Sequence, residues 1–143
     1  MLKKMEQAKA ALSGEETTFA AVSVKGELRT STQKGIAPMM EILTTEPCFL
    51  EGAFVADRVI GKAAAFLLIK GEIAHLYAKV ISIHAAEALE KNNIPFEYDK
   101  MVPYIINRTK DGMCPFEASV LEETDCERAY LTIQKNLKIT GRK

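Results

Sequence analysis

The sequence predicts a single layered α/β domain built on a mixed β-sheet. Two observations support this prediction. A candidate β-hairpin near the N-terminus is followed by segments that alternate between strand-like and helix-like patterns, and parallel strands need such helical crossovers. The 143 residues, of which 48% are hydrophobic, suit one domain with one sizeable core, and no linker or internal repeat divides the range 1–143.

The first elements along the chain are a helix at 2–12, paired strands at 19–24 and 27–31, and a helix from 38 to about 44. The two strands are rich in β-forming residues, and Lys25-Gly26 supplies the turn between them. Pro38 suits the first position of its helix, because the N–H that proline lacks has no partner there in any helix.

The central part of the chain alternates between a strand at 52–56, a helix at 57–69, a strand at 75–81, a helix at 82–92 and a strand at 96–102. Asp57 and Ser82 precede apolar helical patterns and are predicted to be the N-caps of the two helices. Gly71 is a natural stop for the first of them. The helices then supply the crossovers that connect parallel strands.

The last part of the chain predicts a polar loop followed by two helices. The loop covers residues 107–113, and a helix begins at Pro115. Glu117 stands where the acid of a capping box belongs, three residues after Cys114. Asp125 is predicted to cap a final helix, which leads into a basic tail at 138–143.

The charge balance argues against nucleic acid as a partner. Nineteen basic residues offset nineteen acidic ones, so the chain has no global basic field. There is no tryptophan, and the 7% aromatic residues are scattered singly, so no stacking platform for single strands is evident. A net charge of zero also does little to oppose self-association, and a homodimer is consistent with it.

The cysteines favour a reducing compartment, and we expect the chain to be cytoplasmic. Cys48, Cys114 and Cys126 are odd in number and show no CxxC spacing, which argues against a disulfide framework. The longest apolar run, residues 63–69, is far too short to span a bilayer, so we expect no membrane association.

Four segments together resemble a known family: GAFVADRVIGKAAA at 52–65, HLYAKVIS at 75–82, MVPYIINR at 101–108 and GMCPFE at 112–117. The family is an uncharacterised prokaryotic domain of unknown function, numbered eighteen ninety-three, whose fold is similar to that of cytidine deaminase. The resemblance covers about residues 16–121, the core of the domain, and leaves a helical extension at about 122–143. It implies a three-layer α-β-α fold with a mixed five-stranded sheet. The family has no established activity, so the resemblance does not indicate one.

The resemblance directs attention to the zinc ligands of the deaminases, which this chain lacks. Those enzymes carry His or Cys before x-Glu at one helix start and Pro-Cys-x-x-Cys at the next. The corresponding segments here, residues 34–38 and 57–62, contain no soft ligand. His84 and Glu87 are spaced one residue too far apart for the first motif, and Glu87 suits an ion pair with Lys91. We therefore expect no metal and no other cofactor.

Two segments are candidates for a ligand pocket. Lys34-Gly35 places a flexible cationic turn before a helix, where a phosphate or carboxylate binds well. Asp57 and Lys62 flank another helix start and provide a base and an anion anchor. The alternative interpretation of each is structural: a connection in the first case, and a cap with an exposed lysine in the second.

A third candidate is the loop that ends at Cys114. An N-cap position lowers the pKa of a thiol, although Glu117 opposes that effect and neither histidine is placed to act as base. A structural thiol is the favoured alternative. Asn107 and Arg108 either bind an anion or solvate the loop.

From these residues we expect a zinc-independent protein that binds a small anionic or nucleoside-like ligand. Lys34, Gly35, Lys62, Asn107 and Arg108 are the predicted binding residues. Turnover without a metal would use Cys114 or Asp57 as the reactive group. The competing hypothesis is a non-catalytic regulatory or protein-interaction module.

Overall fold

The computed structural model describes residues 2–14, 16–33, 35–105 and 115–139. Within these ranges the elements are, in chain order, α1 (Leu2–Leu12), β1 (Phe19–Val22), β2 (Leu28–Ser31), α2 (Ala37–Thr45), β3 (Phe54–Ile60), α3 (Lys62–Gly71), β4 (His75–Ser82), α4 (Ile83–Lys91), β5 (Phe96–Val102), α5 (Pro115–Ser119) and α6 (Cys126–Ile139). None of the helices in the described ranges is long and apolar enough to cross a membrane.

The five strands form one mixed sheet in the order β2-β1-β3-β4-β5. β1 is antiparallel to both of its neighbours, whereas β3, β4 and β5 are parallel to one another. The helices α3 and α4 connect the parallel strands, as parallel pairing requires. The predicted α/β class with a mixed five-stranded sheet is confirmed.

The helices lie in two layers, one on each face of the sheet. α1 covers one face through a small core: Met5, Ala8, Leu12, Ala20, Val22, Phe54 and Ala56. The opposite face carries the larger core, to which α2, α3, α4 and α6 contribute. α3 lies at the centre of that layer, since every residue from 63 to 69 is buried.

Arg58 fastens the end of α1 to β3. Its Nε donates to the carbonyl of Thr17 at 2.6 Å, and one terminal nitrogen donates to the carbonyls of Leu12 at 3.1 Å and Gly14 at 2.7 Å. The last carbonyls of a helix have no partner within the helix, and a positive charge near them is favourable. A guanidinium binds several carbonyls at once because it presents five donors in a fixed plane.

We expect Arg58→Lys to lower the free energy of unfolding by about 1.5–3 kcal/mol, because one ammonium cannot replace the fork of donors. Urea denaturation measures the loss. Arg128→Lys is the control, since its ion pairs with Glu123 and Asp125 are at an exposed guanidinium, and we expect a change below about 1 kcal/mol. Equal losses in the two variants would contradict the clamping role.

The predictions around Asp57 are wrong at the boundary between strand and helix. The strand predicted at 52–56 runs instead from Phe54 to Ile60, so Asp57 lies inside β3 and does not cap a helix. The N-cap is Gly61, and Lys62 is the first helical residue. Strand pairing overrides the capping preference of Asp57, because Val59 and Ile60 remain in register with Val80 and Ile81 of β4.

Other predicted boundaries are confirmed. Ser82 caps α4 by accepting a hydrogen bond from the N–H of Ala85 at 3.0 Å, and Asp125 accepts one from the N–H of Arg128 at 2.9 Å at the start of α6. β5 spans the predicted residues, and α2 begins one residue before Pro38. At the three helices, the residues Ser82, Asp125 and Pro38 each have one strong local preference and stand next to a periodic apolar pattern.

Candidate functional site

Three helices begin at one edge of the sheet. β2 runs parallel to β3, because both are antiparallel to β1, and β4 is also parallel to β3. The strands that precede α2, α3 and α4 therefore all end on the same side, at Ser31, Ile60 and Ser82. We call this side the carboxyl edge. Ligands of open α/β sheets bind outside the carboxyl ends of the strands, so this edge is the candidate site.

Glu117 closes the part of the carboxyl edge at the start of α3. Its Oε2 accepts hydrogen bonds from the N–H of Lys62 at 2.8 Å and from the hydroxyl of Ser82, while Oε1 accepts from the N–H of Ile105 at 2.6 Å. The side chain is 1% exposed. The first N–H of a helix is a natural partner for an anion, and here the chain's own carboxylate fills that role.

Gly61 permits this close packing. A Cβ at this position would lie 2.9 Å from Cγ1 of Ile105 and 3.4 Å from Cδ of Glu117. The backbone of Gly61 has φ −96°, which any residue adopts, so the requirement for glycine is steric.

We expect Gly61→Ala to lower the free energy of unfolding by about 1–3 kcal/mol through overpacking. Urea denaturation measures the loss, and the same substitution in an Ile105→Ala background is the control. Removal of the Ile105 side chain relieves the 2.9 Å contact, so the cost of the added methyl should fall by more than half. An unchanged cost would assign the effect to the capping position alone.

Lys62 faces the segment that follows α5. Its ammonium donates to the carbonyl of Leu121 and lies 5.6 Å from the centre of the Phe66 ring. Burial lowers the pKa of this ammonium. No hydrogen bond or ion pair among the described residues joins Lys62 to Asp57, so the structure does not bring together these two predicted site residues.

Asp57 is the buried acid of the sheet. It lies between Phe19 on β1 and Ala78 on β4, both fully buried, and is itself only 5% exposed. Oδ1 accepts a hydrogen bond from the N–H of Val59 at 3.2 Å, and the backbone N–H and the charge of Arg58 also act on this carboxyl, lowering its pKa against the larger effect of burial. Within the described residues, Oδ2 has no hydrogen-bond partner. Burial raises the pKa of this carboxyl well above its ordinary value.

A cleft borders Phe19, on the side of this residue that faces away from Asp57. One row of the sheet places Ser31, Phe19, Asp57, Ala78 and Tyr98 next to one another on the five strands. The cleft has a volume of about 210 Å³ and is lined by Phe19, Arg29, Thr30, Ser31, Pro38, Glu41, Ile42, Thr45 and Glu46. Six of these nine residues are polar or charged, so the lining is more polar than that of most small-molecule sites. We call it the β2–α2 cleft.

The start of α2 differs from those of α3 and α4. Ile36 is its N-cap and makes no side-chain capping bond, whereas Glu117 and Ser82 serve the other two helices. Gly35 is exposed and adopts φ +65°, a left-handed conformation that favours glycine. Of the three helix starts at the carboxyl edge, α2 is the one that the described side chains leave uncapped.

The remaining predicted site residues, Lys34, Asn107, Arg108 and Cys114, lie outside the described residues. The described residues that flank the predicted loop, Ile105 and Glu117, are hydrogen-bonded to each other at the carboxyl edge.

Two results differ from the sequence prediction of the site. Gly35 precedes α2 and Asp57 lies in β3 between β1 and β4, whereas Lys62 faces the segment that follows α5. The predicted capping box pairs Glu117 with Cys114, which lies outside the described residues; among the described residues, Glu117 caps α3. No local pattern marks Glu117 for this role, since its partners are remote in sequence. Within the described ranges, no group of three His, Cys, Asp or Glu side chains is arranged to hold a metal ion.

Fold and site define the class of this protein: an α/β domain with three helix starts at one sheet edge, one of them closed by an internal carboxylate, and with a buried acid in its central strand. The chain belongs to the family described as TM1506, Domain of unknown function (DUF1893), whose model matches residues 7–137. The family resemblance noted in the sequence is confirmed.

Among solved structures, the chain is similar to a DUF1893 family protein, TM1506, from Thermotoga maritima. The two share 30% sequence identity with a TM-score of 0.84, over 97% of this chain and 91% of the other. A search of curated proteins finds no match. The family carries no assigned function, so function must be argued from the site.

Proposed function

We propose that this chain is a zinc-independent protein of the cytidine-deaminase-like fold that binds a small ligand between the start of α2 and Asp57. The observation that carries the proposal is Oδ2 of Asp57. Asp57 is only 5% exposed, and this atom has no hydrogen-bond partner among the described residues. Two of the three helix starts at the carboxyl edge are capped by the chain itself. The uncapped start of α2, beside the β2–α2 cleft, is available to a ligand.

A buried polar atom without a partner costs about 1–3 kcal/mol of stability. Such groups are rare in folded proteins, and strongly perturbed acids cluster at functional sites. Asp57 stands next to Phe19 in the sheet, and Phe19 lines the β2–α2 cleft. A ligand that displaces the Phe19 ring from the cleft would reach Oδ2 and supply its missing hydrogen bond.

The chemistry at the two ends of the proposed site, Asp57 and the start of α2, defines the ligand class. A neutral carboxylic acid donates a hydrogen bond, so Asp57 favours an acceptor such as a carbonyl or ring nitrogen of a nucleobase. The uncapped N-terminus of α2, preceded by the turn that contains Gly35, favours an anionic group. Together they fit a nucleoside or nucleotide of small size. If the chain turns this ligand over, Asp57 is placed as a general acid.

The competing function is a non-catalytic regulatory or interaction module. One observation favours it: Glu117 occupies the start of α3, so part of the carboxyl edge is used for structure. We also propose a cytoplasmic location, supported by the free thiols of Cys48 and Cys126.

Thermal unfolding in the presence of nucleosides, nucleotides and sugar phosphates tests the proposal. A ligand at about 100 times its dissociation constant adds roughly 2.7 kcal/mol of stability. We expect a stabilising compound for the wild type, loss of the effect in Asp57→Ala, which removes the hydrogen-bond donor, and its retention in Asp99→Ala. Asp99 is the matched control, because its exposed carboxylate accepts the Tyr77 hydroxyl at 2.6 Å, on the strand farthest from the cleft.

The outcomes are distinct. A stabilising ligand that acts equally on Asp57→Ala would place its binding elsewhere and refute the role of Asp57. An absence of any stabilising compound in the panel would favour the interaction module.

A further inference from the structure

Within the described residues, β2 is an edge strand of the sheet, with β1 on one side and no strand on the other. Exposed sheet edges are templates for pairing with another chain, and proteins commonly block them with proline or with charged side chains, lysine above all. The sequence of β2, LRTS, contains neither proline nor lysine, and its one charged side chain, Arg29, is paired with Glu46. Its apolar member, Leu28, is 39% exposed.

The ladder shows which backbone groups of β2 face outward. The N–H of Ser23 donates to the carbonyl of Glu27 at 2.8 Å, which identifies these residues as a hydrogen-bonded pair of the hairpin. Hydrogen-bonded and non-hydrogen-bonded pairs alternate along antiparallel strands. Arg29 and Ser31 therefore bond to β1, while Leu28 and Thr30 direct their N–H and C=O groups away from the sheet.

We propose that two copies of this chain pair along β2, antiparallel, about a two-fold axis that passes through Thr30. Thr30 of each copy then donates to and accepts from the other, and the two five-stranded sheets become one continuous sheet. The proposal does not rest on the proposed function, because it is argued from the backbone and the charges of β2.

The side chains favour this register. An axis through Thr30 puts Arg29 opposite Ser31 of the second copy, and Glu27 opposite its Gln33, so no like charges meet. Opposed threonines form a favourable cross-strand pair. An axis through Arg29 would instead place the guanidinium of one copy directly opposite that of the other, and such a pair of like charges is destabilising.

The other edge strand, β5, is a poorer candidate for self-pairing. An antiparallel pair centred on Tyr98 would place Glu97 opposite Asp99 of the second copy, and a pair centred on Asp99 would place that carboxylate opposite itself. Like charges directly opposite each other destabilise a sheet. The charge pattern therefore selects β2 for association between copies.

Pairing along β2 would also extend the β2–α2 cleft. Ser31 lines this cleft, and in the proposed register Arg29 of the second copy lies opposite it, at a cross-strand spacing of about 5 Å between Cβ atoms. The second copy thus contributes a guanidinium at the rim of the cleft.

A charge-exchange experiment at Thr30 tests the dimer, because this residue meets itself only if the axis passes through it. Sedimentation equilibrium of the wild type should give the mass of two chains. Thr30→Lys and Thr30→Asp should each weaken dimerisation by at least about tenfold through like-charge repulsion. An equimolar mixture of the two variants should restore the dimer, and Thr30→Val, which keeps a β-branched side chain, should remain dimeric.

Circular dichroism establishes that each variant is folded before its mass is interpreted. A wild-type chain that stays monomeric at high concentration would overturn the proposal. Thr30→Lys that remains as dimeric as the wild type would place the interface elsewhere, and a mixture that stays monomeric would show that the axis does not pass through Thr30.

Discussion

Glu117→Ala is expected to lower the free energy of unfolding by about 3 kcal/mol or more, as measured by urea denaturation. The substitution leaves the N–H groups of Lys62 and Ile105, together with the Ser82 hydroxyl, without their shared acceptor. Each buried donor that loses its partner costs about 1–3 kcal/mol. The loss should also separate α5 from the start of α3, because Glu117 is its hydrogen-bonded contact there.

Glu117→Gln keeps the size of the side chain but changes its hydrogen-bonding groups. It therefore separates the contribution of the hydrogen bonds to the free energy of unfolding from that of packing. Glutamine retains one acceptor oxygen, which can serve Lys62 and Ser82, but its NH₂ group would face the N–H of Ile105. We therefore expect a loss between that of alanine and zero, about 1–3 kcal/mol. Glu87→Ala, at an exposed position of α4, is the control for removal of a helical acid. A loss below about 1 kcal/mol in Glu117→Ala would contradict the capping role.

Asp57→Asn is expected to gain stability relative to the wild type as the pH rises. The pKa of Asp57 is raised in the folded state, so folding favours its protonated form. That contribution is fully present below the unfolded pKa of about 3.9 and is lost as the pH rises toward the folded pKa. Asparagine does not titrate and therefore escapes the loss.

The difference in the free energy of unfolding between Asp57→Asn and the wild type should grow by up to about 1.4 kcal/mol per pH unit above about pH 4. It should level off once the pH passes the folded pKa. Urea denaturation of both proteins from pH 4 to pH 8 gives the curve. Asp99→Asn, at an exposed position of β5, supplies the comparison. A difference that is flat over this range would show that Asp57 titrates as an ordinary acid.

The sequence predicted elements well where one local signal was decisive. Ser82 and Asp125 cap their helices as expected, and the alternation from β3 to β5 follows from the helical crossovers. Asp57 misled the prediction because aspartate is also a good N-cap. The register with β4, which involves residues about 20 positions away, decided the matter in favour of a strand.

The candidate site was only partly predictable for a similar reason. Asp57 and Gly35 stood out through local chemistry, and the structure places Asp57 in β3 and Gly35 before α2. The sequence indicated a capping role for Glu117 only within its own helix. Its hydrogen-bond partner Lys62 is 55 positions away in the chain, so no local pattern reveals that contact. Contacts of this kind depend on the tertiary fold, and no spacing rule within one helix indicates them.

We infer that Asp57 is a neutral buried acid whose unpartnered oxygen, Oδ2, binds a ligand. Carbon-13 NMR of aspartate-labelled protein measures it most directly, with the Asp57 carboxyl assigned by its absence in Asp57→Asn. We expect that resonance to remain at its protonated position at neutral pH, and to move when a stabilising nucleoside-like compound is added. An ionised Asp57 at neutral pH, or a resonance that no nucleoside or nucleotide perturbs, would contradict the account.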